Sequence, residues 1–246
     1  MISLLRFETK NNIIPSDYRS TIMSFFKKSL NSIADGEFKQ KYYDNPERRD
    51  FTFAVKFPNA KFEKDKIFLG KNQFIVSFST GDNTLGYIFM AAFIAQKGKE
   101  FNAAYDNIYI LKSVQKIDGK MATSDSVMVR MLSPLCLREH SKEKNHDTYY
   151  SVKSDNFQSK AKELISNQLV DAGFSKNLAE NIQIIPSGAK KTVVRYYGTF
   201  IECSIGNFFI KADKAVINYF LKYGIGSRKS AGFGFAELKA DGGLEV

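Results

Sequence analysis

The stretch GIGSRKSAGFGFAEL, residues 224–238, gathers the residue types that hold an anion. Gly224, Gly226, Gly232 and Gly234 permit positive φ and close backbone approach, and exposed amides in such a loop cradle phosphate. Arg228 and Lys229 add charge, and Ser227 and Ser230 add hydroxyls. The pattern is not a P-loop, because no Gly-Lys-Ser/Thr follows at the required spacing. Nor is it a dinucleotide fingerprint, because the loop follows a helix rather than a strand. The other reading of 224–234 is a solvated helix-to-strand connection.

Histidine is the side chain best suited to proton transfer near neutrality. The chain has only two, His140 and His146, both within EHSKEKNHD. Their spacing, even with Glu139, Glu143 and Asp147, is a poor metal-ligand pattern, so no metal and no cofactor is expected. No Ser-His-Asp or Cys-His arrangement stands out. Residues 37–50 carry Lys39, Lys41, Tyr42, Tyr43, Arg48 and Arg49. In KKTVVRYY, Lys190, Lys191 and Arg195 are interleaved with Tyr196 and Tyr197. That mixture suits phosphate contact with base stacking, or else a solvated sheet edge with tyrosines packed beneath it.

The elements that position these groups follow from periodicity. Residues 4–8 read as a strand. Over 17–34, Ile22, Phe25, Phe26, Leu30 and Ile33 recur at helical spacing, with Ser16 as N-cap and Gly36 past the end. FTFAVKF (51–57) alternates as a strand should, and 66–80 gives two more strand-like runs. Residues 85–96 form an amphipathic helix; 108–117 and 126–139 read as two strands. HSKEKNHDTYY is a polar linker running into a short strand at 149–152. The cycle then restarts. A helix over 156–172 carries Phe157, Ala161, Leu164, Ile165 and Leu169 on one face, and strands follow at 181–186, 190–205 and 207–212. Asp213 caps a helix with Val216, Ile217, Phe220 and Leu221, Gly224 ends it, and 232–240 is the last strand. The fold class is therefore α+β, two tandem ferredoxin-like βαββαβ domains over 1–140 and 147–246.

The net charge of +10 and pI near 9.4 favour a polyanionic partner, nucleic acid before an anionic membrane. Hydrophobic residues at 43% allow a substantial core. No run approaches the roughly 18 apolar residues of a membrane span, and MISLLRFETKNN turns polar too quickly for a signal peptide. Cys136 and Cys203 lie far apart in sequence and make no motif, which suits a reducing cytoplasm.

The pattern G-x-G-S-x-x-S-x-G-F-G, after a helix ending in YG, closely resembles the signature of the CRISPR repeat-processing endoribonucleases of the repeat-associated mysterious protein superfamily. FTFAVKF resembles that family's Phe-Thr-Phe strand, SPLCLREH (133–140) its Ser-Pro strand, and DTYY (147–150) the start of its second half. The matches keep their order along most of the chain. The resemblance implies two ferredoxin-like domains and a glycine-rich loop that helps hold RNA, here Gly224, Gly226, Ser227, Arg228, Lys229, Ser230 and Gly232. It also implies metal-independent cleavage of precursor CRISPR RNA within its repeat. The partners it implies are repeat RNA and other subunits of a CRISPR complex, with the protein itself a monomer or homodimer.

Such cleavage uses the neighbouring 2′-hydroxyl as nucleophile and leaves a 2′,3′-cyclic phosphate and a 5′-hydroxyl. It needs a base, an acid and a cation facing the phosphorane. Many family members place a catalytic histidine just after the first helix, whereas residues 37–50 contain none. In a ferredoxin-like unit the first helix and last strand end at the same sheet edge. On that topology Tyr42 and Tyr43 are expected near the strand end bearing Arg138 and His140. His140 then replaces the missing histidine, with Tyr42 or Tyr43 and Lys41 or Arg48. The alternatives that stay open are His146, a histidine-free site of Lys41, Tyr42 and Arg48, an inactive enzyme, a non-catalytic subunit that binds repeat RNA, and a basic ferredoxin-like interaction module with no RNA role.

Overall fold

The computed structural model describes residues 1–44, 50–143 and 145–242, the side chains of Tyr43 and Asp44 excepted. The chain folds into two units, Met1–Asp118 with Arg195–Thr199, and Gly119–Val194 with Phe200–Val246.

In the first unit, β1 (Ile2–Thr9) buries every second residue, Ser3, Leu5, Phe7 and Thr9, as a strand covered on one face must. The helix α1 (Tyr18–Asn31) buries Ile22, Phe25, Phe26 and Leu30. It starts with Asp17 rather than Ser16 at its N-cap and has no side-chain capping bond. β2 (Thr52–Lys56), β3 (Gln73–Ser79), α2 (Asn83–Ala95) and β4 (Asn107–Ile117) complete the βαββαβ order. The Asp82 carboxylate caps α2, accepting the Leu85 amide at 3.1 Å. Among the described residues the sheet runs β2-β3-β1-β4, all antiparallel, with Glu100–Ala103 added beside β4. Its core is aromatic: the Phe26 ring lies 5.2–6.3 Å from those of Phe51, Phe53, Phe78, Phe89 and Phe93.

The second unit repeats this topology around an aliphatic core. Its strands are β5 (Ser126–Met131), β6 (Leu137–Ser141), β7 (His146–Tyr150), β8 (Gln183–Pro186), β9 (Lys190–Tyr196), β10 (Thr199–Ile205), β11 (Asn207–Lys211) and β12 (Ala236–Asp241), except that Arg195 and Tyr196 of β9 and Thr199 of β10 fall in the first unit. Its main helices are α3 (Phe157–Asp171) and α4 (Lys214–Tyr223). The sheet order is β8-β11-β5-β12, antiparallel throughout. Both units are thus ferredoxin-like. Two hairpins are inserted in the second, β6–β7 before α3 and β9–β10 before β11.

The boundary differs from the one expected near residue 140. Ser126–Met131 is not the last strand of the first unit but the first strand of the second. It hydrogen-bonds between Asn207–Lys211 and Ala236–Asp241, and Val127, Val129 and Met131 enter the second core. The strand expected at 149–152 is the end of the β6–β7 hairpin. Among the described residues no helix is long and apolar enough to cross a membrane.

Candidate functional site

The β6–β7 hairpin pairs Leu137 with Tyr150, Arg138 with Tyr149, Glu139 with Thr148, His140 with Asp147 and Ser141 with His146. Residues directly opposite share a face, and successive residues alternate. Arg138, His140, Asp147 and Tyr149 therefore lie on one face, Glu139 and Tyr150 on the other.

Asp147 is the hub of the first face. His140 Nδ1 is 2.8 Å from Asp147 Oδ1. Arg138 Nη1 donates to both carboxylate oxygens at 3.3 and 3.2 Å, and the Tyr149 hydroxyl donates to Oδ2 at 3.1 Å. Arg228 arrives from the glycine-rich loop, and its Nη2 donates to Asp147 Oδ2 at 2.9 Å and to the Tyr149 hydroxyl at 2.8 Å. Burial alone would raise the Asp147 pKa. The bonds from His140, Tyr149 and Arg138, with the Arg138 charge, outweigh it and bring the carboxyl down to about 2. In a neutral imidazole, an Nδ1–H donated to that carboxylate leaves the lone pair on Nε2. The His140 side chain is 40% exposed. Burial is the main influence raising the Tyr149 pKa and keeps its phenol protonated.

The opposite face anchors the hairpin. Glu139 accepts from Lys160 Nζ of α3 at 2.8 Å and from the Tyr150 hydroxyl at 2.5 Å. These two bonds, Lys160 first, hold its pKa below the ordinary range. Lys160 also pairs with Glu163 at 3.1 Å.

The glycine-rich loop is stitched to its own unit. Gly224 N donates to Phe220 O, Ile225 N to Gly234 O, Ser227 N to Cys136 O and Gly234 N to Pro134 O, at 2.8–2.9 Å. Gly226 has φ +83, and a Cβ there would lie 2.5 Å from Cys136 O. At Gly234, with φ +74, it would lie 2.0 Å from Ile225 O. The close approach that these two glycines permit is taken up by the protein's own backbone, not left open for a ligand. Arg228, at φ 55, turns its guanidinium onto Asp147 and Tyr149. Lys229 Nζ donates to the Tyr219 hydroxyl at 3.2 Å. Ser227, Ser230 and Gly232 are half-buried or buried beside them.

The other expected site residues are distributed as follows. Lys41 and Tyr42 belong to the first unit, in the π-helical turn Gln40–Asp44, with Lys41 Nζ 5.2 Å from the Tyr42 ring centroid. Arg48 and the Tyr43 side chain lie outside the described residues. The topological argument that joined Tyr42 to His140 does not hold, because β6 is no longer the exit strand of the first unit. His146 pairs with Ser141, not with Asp147. On β9, Lys190 is exposed, Lys191 is ion-paired with Glu202, and Arg195 belongs to the first unit and is ion-paired with Asp65. Tyr196 is buried and Tyr197 exposed. Among the described residues no three His, Cys, Asp or Glu side chains are grouped to hold a metal.

Sequence reasoning passed over Tyr149, Gln168 and the role of Asp147. The available signal was the pair of i,i+2 spacings, Arg138/His140 and Asp147/Tyr149, flanking a polar turn. A hairpin brings two such pairs onto one face.

Residues 115–238, half of the chain, match the family described as CRISPR associated protein Cas6, C-terminal. No curated protein matches. Among solved structures, the product of a Cas6-related gene from Pyrococcus furiosus superposes with a TM-score of 0.82 at 14% identity, over 98% of this chain and 99% of that one. An RAMP protein described as binding different RNA substrates gives 0.80 at 18% identity, over 98% and 100%. A product complex of a Cas6 from Thermus thermophilus gives 0.72 at 15%, over 97% and 99%.

Proposed function

The chain belongs to the CRISPR-associated Cas6 family, and from that premise we propose that it binds CRISPR repeat RNA and cuts it within the repeat without metal. The observation that carries this reading is the His140–Asp147 pair at 2.8 Å, flanked by Arg138 and Arg228. Nε2 of His140 takes the proton of a 2′-hydroxyl, whose oxygen attacks the adjacent phosphorus. The bond to the 5′-oxygen breaks, and that oxygen takes a proton from a solvent water as it departs, while the proton taken from the 2′-hydroxyl stays on His140 Nε2 until solvent removes it. Arg138 bonds Asp147 through Nη1 and offers further N–H groups to the phosphorane. The loop forms the wall along the repeat backbone, with Ser227, Arg228, Lys229 and Ser230 as its contacts and Gly224, Gly226 and Gly232 shaping it from within, and with Lys190, Lys191 and Arg195 as further phosphate contacts. The protein acts in the cytoplasm, as a monomer or homodimer, with other CRISPR-complex subunits as further partners.

Incubating cognate repeat RNA with the protein in EDTA tests this. The expected result is a single cut leaving a 2′,3′-cyclic phosphate and a 5′-hydroxyl, with scrambled RNA untouched. No cut, or one that requires added magnesium, would contradict it.

Two observations favour neighbouring readings. Lys41 beside Tyr42 in the first unit supports a histidine-free centre of Lys41, Tyr42 and Arg48. Its activity would be weak near neutrality, where histidine is the side chain suited to proton transfer and this centre has none. The absence of histidine from residues 37–50, and the engagement of both Arg138 and Arg228 on the Asp147 carboxylate, support a subunit that binds repeat RNA without cutting it.

A further inference from the structure

Gln168 uses both ends of its carboxamide on the glycine-rich loop. Nε2 donates to Gly224 O at 2.9 Å, and Oε1 accepts the Gly226 amide at 2.6 Å. The amide group can satisfy both only in this orientation, because its oxygen accepts and its nitrogen donates. The residue sits on α3 beside buried Leu169, near the C-terminal end of the helix. One side chain therefore spans the point where α4 stops and the loop begins. Among the described residues, no other side chain bonds the backbone of 224–227. Ile225 and Ser227 are tied from the other direction, to Gly234 O and Cys136 O. Two residues further on, Arg228 reaches the Asp147–Tyr149 pair.

We infer that Gln168 is a positioning residue for the RNA-holding loop. It fixes 224–226 so that Arg228 meets the hairpin face, and it touches no substrate itself. This rests on the reading of the loop as the repeat-RNA wall. Losing the clamp frees the loop entry and weakens RNA capture while leaving the His140–Asp147 pair in place.

Gln168→Met keeps the length and shape of the side chain and removes both bonds. Gln168→Glu keeps an acceptor for Gly226 N–H and sets an oxygen against Gly224 O. Two readouts are taken on the full chain: hydrogen exchange at Gly226 without RNA, and affinity for the cognate repeat. The Gly224 amide, bonded to Phe220 O, serves as the internal control. The expected result for Gln168→Met is lost protection at Gly226, retained protection at Gly224, and repeat affinity weakened by about tenfold, the scale of one lost buried bond pair. Gln168→Glu should keep part of the Gly226 protection. If Gly226 stays protected in Gln168→Met, the clamp is not what holds the loop and the inference fails. Lost protection with unchanged affinity overturns the link to RNA. Weakened affinity with unchanged protection makes Gln168 an RNA contact and overturns the positioning role. If the wild-type protein has no preference for its repeat, the functional reading fails, while the exchange data still test the clamp.

Discussion

At the scale of single residues, Asp147 organises the site. One carboxylate takes bonds from Arg138, His140, Tyr149 and Arg228, and so joins both strands of a hairpin to the glycine-rich loop. Its pKa in the folded protein, about 2, lies below the ordinary 3.8. A depressed carboxyl stabilises the fold above its unfolded pKa, and that contribution is lost as pH falls through the folded value. Acid should therefore weaken the second unit between about pH 4 and pH 2. Urea midpoints measured across that window should fall less steeply in Asp147→Asn than in the wild type, and parallel profiles would remove Asp147 from the hub. Asp241, held below the ordinary range by bonds first from Ser124 and then Thr123, keeps its own share of the acid response in that variant. In the linear sequence the only trace of the Asp147 geometry is the pair of i,i+2 spacings, Arg138/His140 and Asp147/Tyr149. HDTYY reads as polar linker because its partners Arg138 and His140 precede it across a turn whose register the residue types do not fix.

At the scale of elements, the loop 224–234 was legible in its glycines, but the reason for the glycines was not. Their spacing suggested exposed amides around phosphate, whereas the structure uses Gly226 and Gly234 to pass the loop against Cys136 O and Ile225 O. Gly234→Ala would force a Cβ to 2.0 Å from a backbone oxygen at φ +74. Left-handed strain and overpacking together should cost about 3 kcal/mol or more, read as a shift in the urea midpoint. A loss within a few tenths of a kcal/mol would mean the loop is not packed this way. The helices were legible for a different reason. In α1 the apolar residues that set the 3.6-residue period, Ile22, Phe25, Phe26 and Leu30, are the ones buried. The strand Ser126–Met131 was legible as a strand but not as a member of the second sheet. Alternating apolar residues look the same whichever sheet receives them, and its neighbours lie far along the chain, at Asn207–Lys211 and Ala236–Asp241.

At the scale of the whole molecule, the chain is two ferredoxin-like units with different interiors, one packed with phenylalanine rings and one largely aliphatic. The second unit by itself carries the oriented histidine, the guanidiniums of Arg138 and Arg228, and the glycine-rich loop. The net charge of +10 supplies attraction to any RNA, without regard to sequence. What distinguishes a repeat-processing protein from a basic surface is then chemistry at one position. The most direct test is the single-turnover rate of repeat-RNA cleavage in EDTA, wild type beside His140→Ala, with binding of the same RNA measured in parallel. Loss of about a hundredfold or more in rate, with repeat affinity retained, is the result predicted for His140 as the base. Equal rates in the two proteins would contradict it and move the chemistry to the Lys41–Tyr42 turn of the first unit.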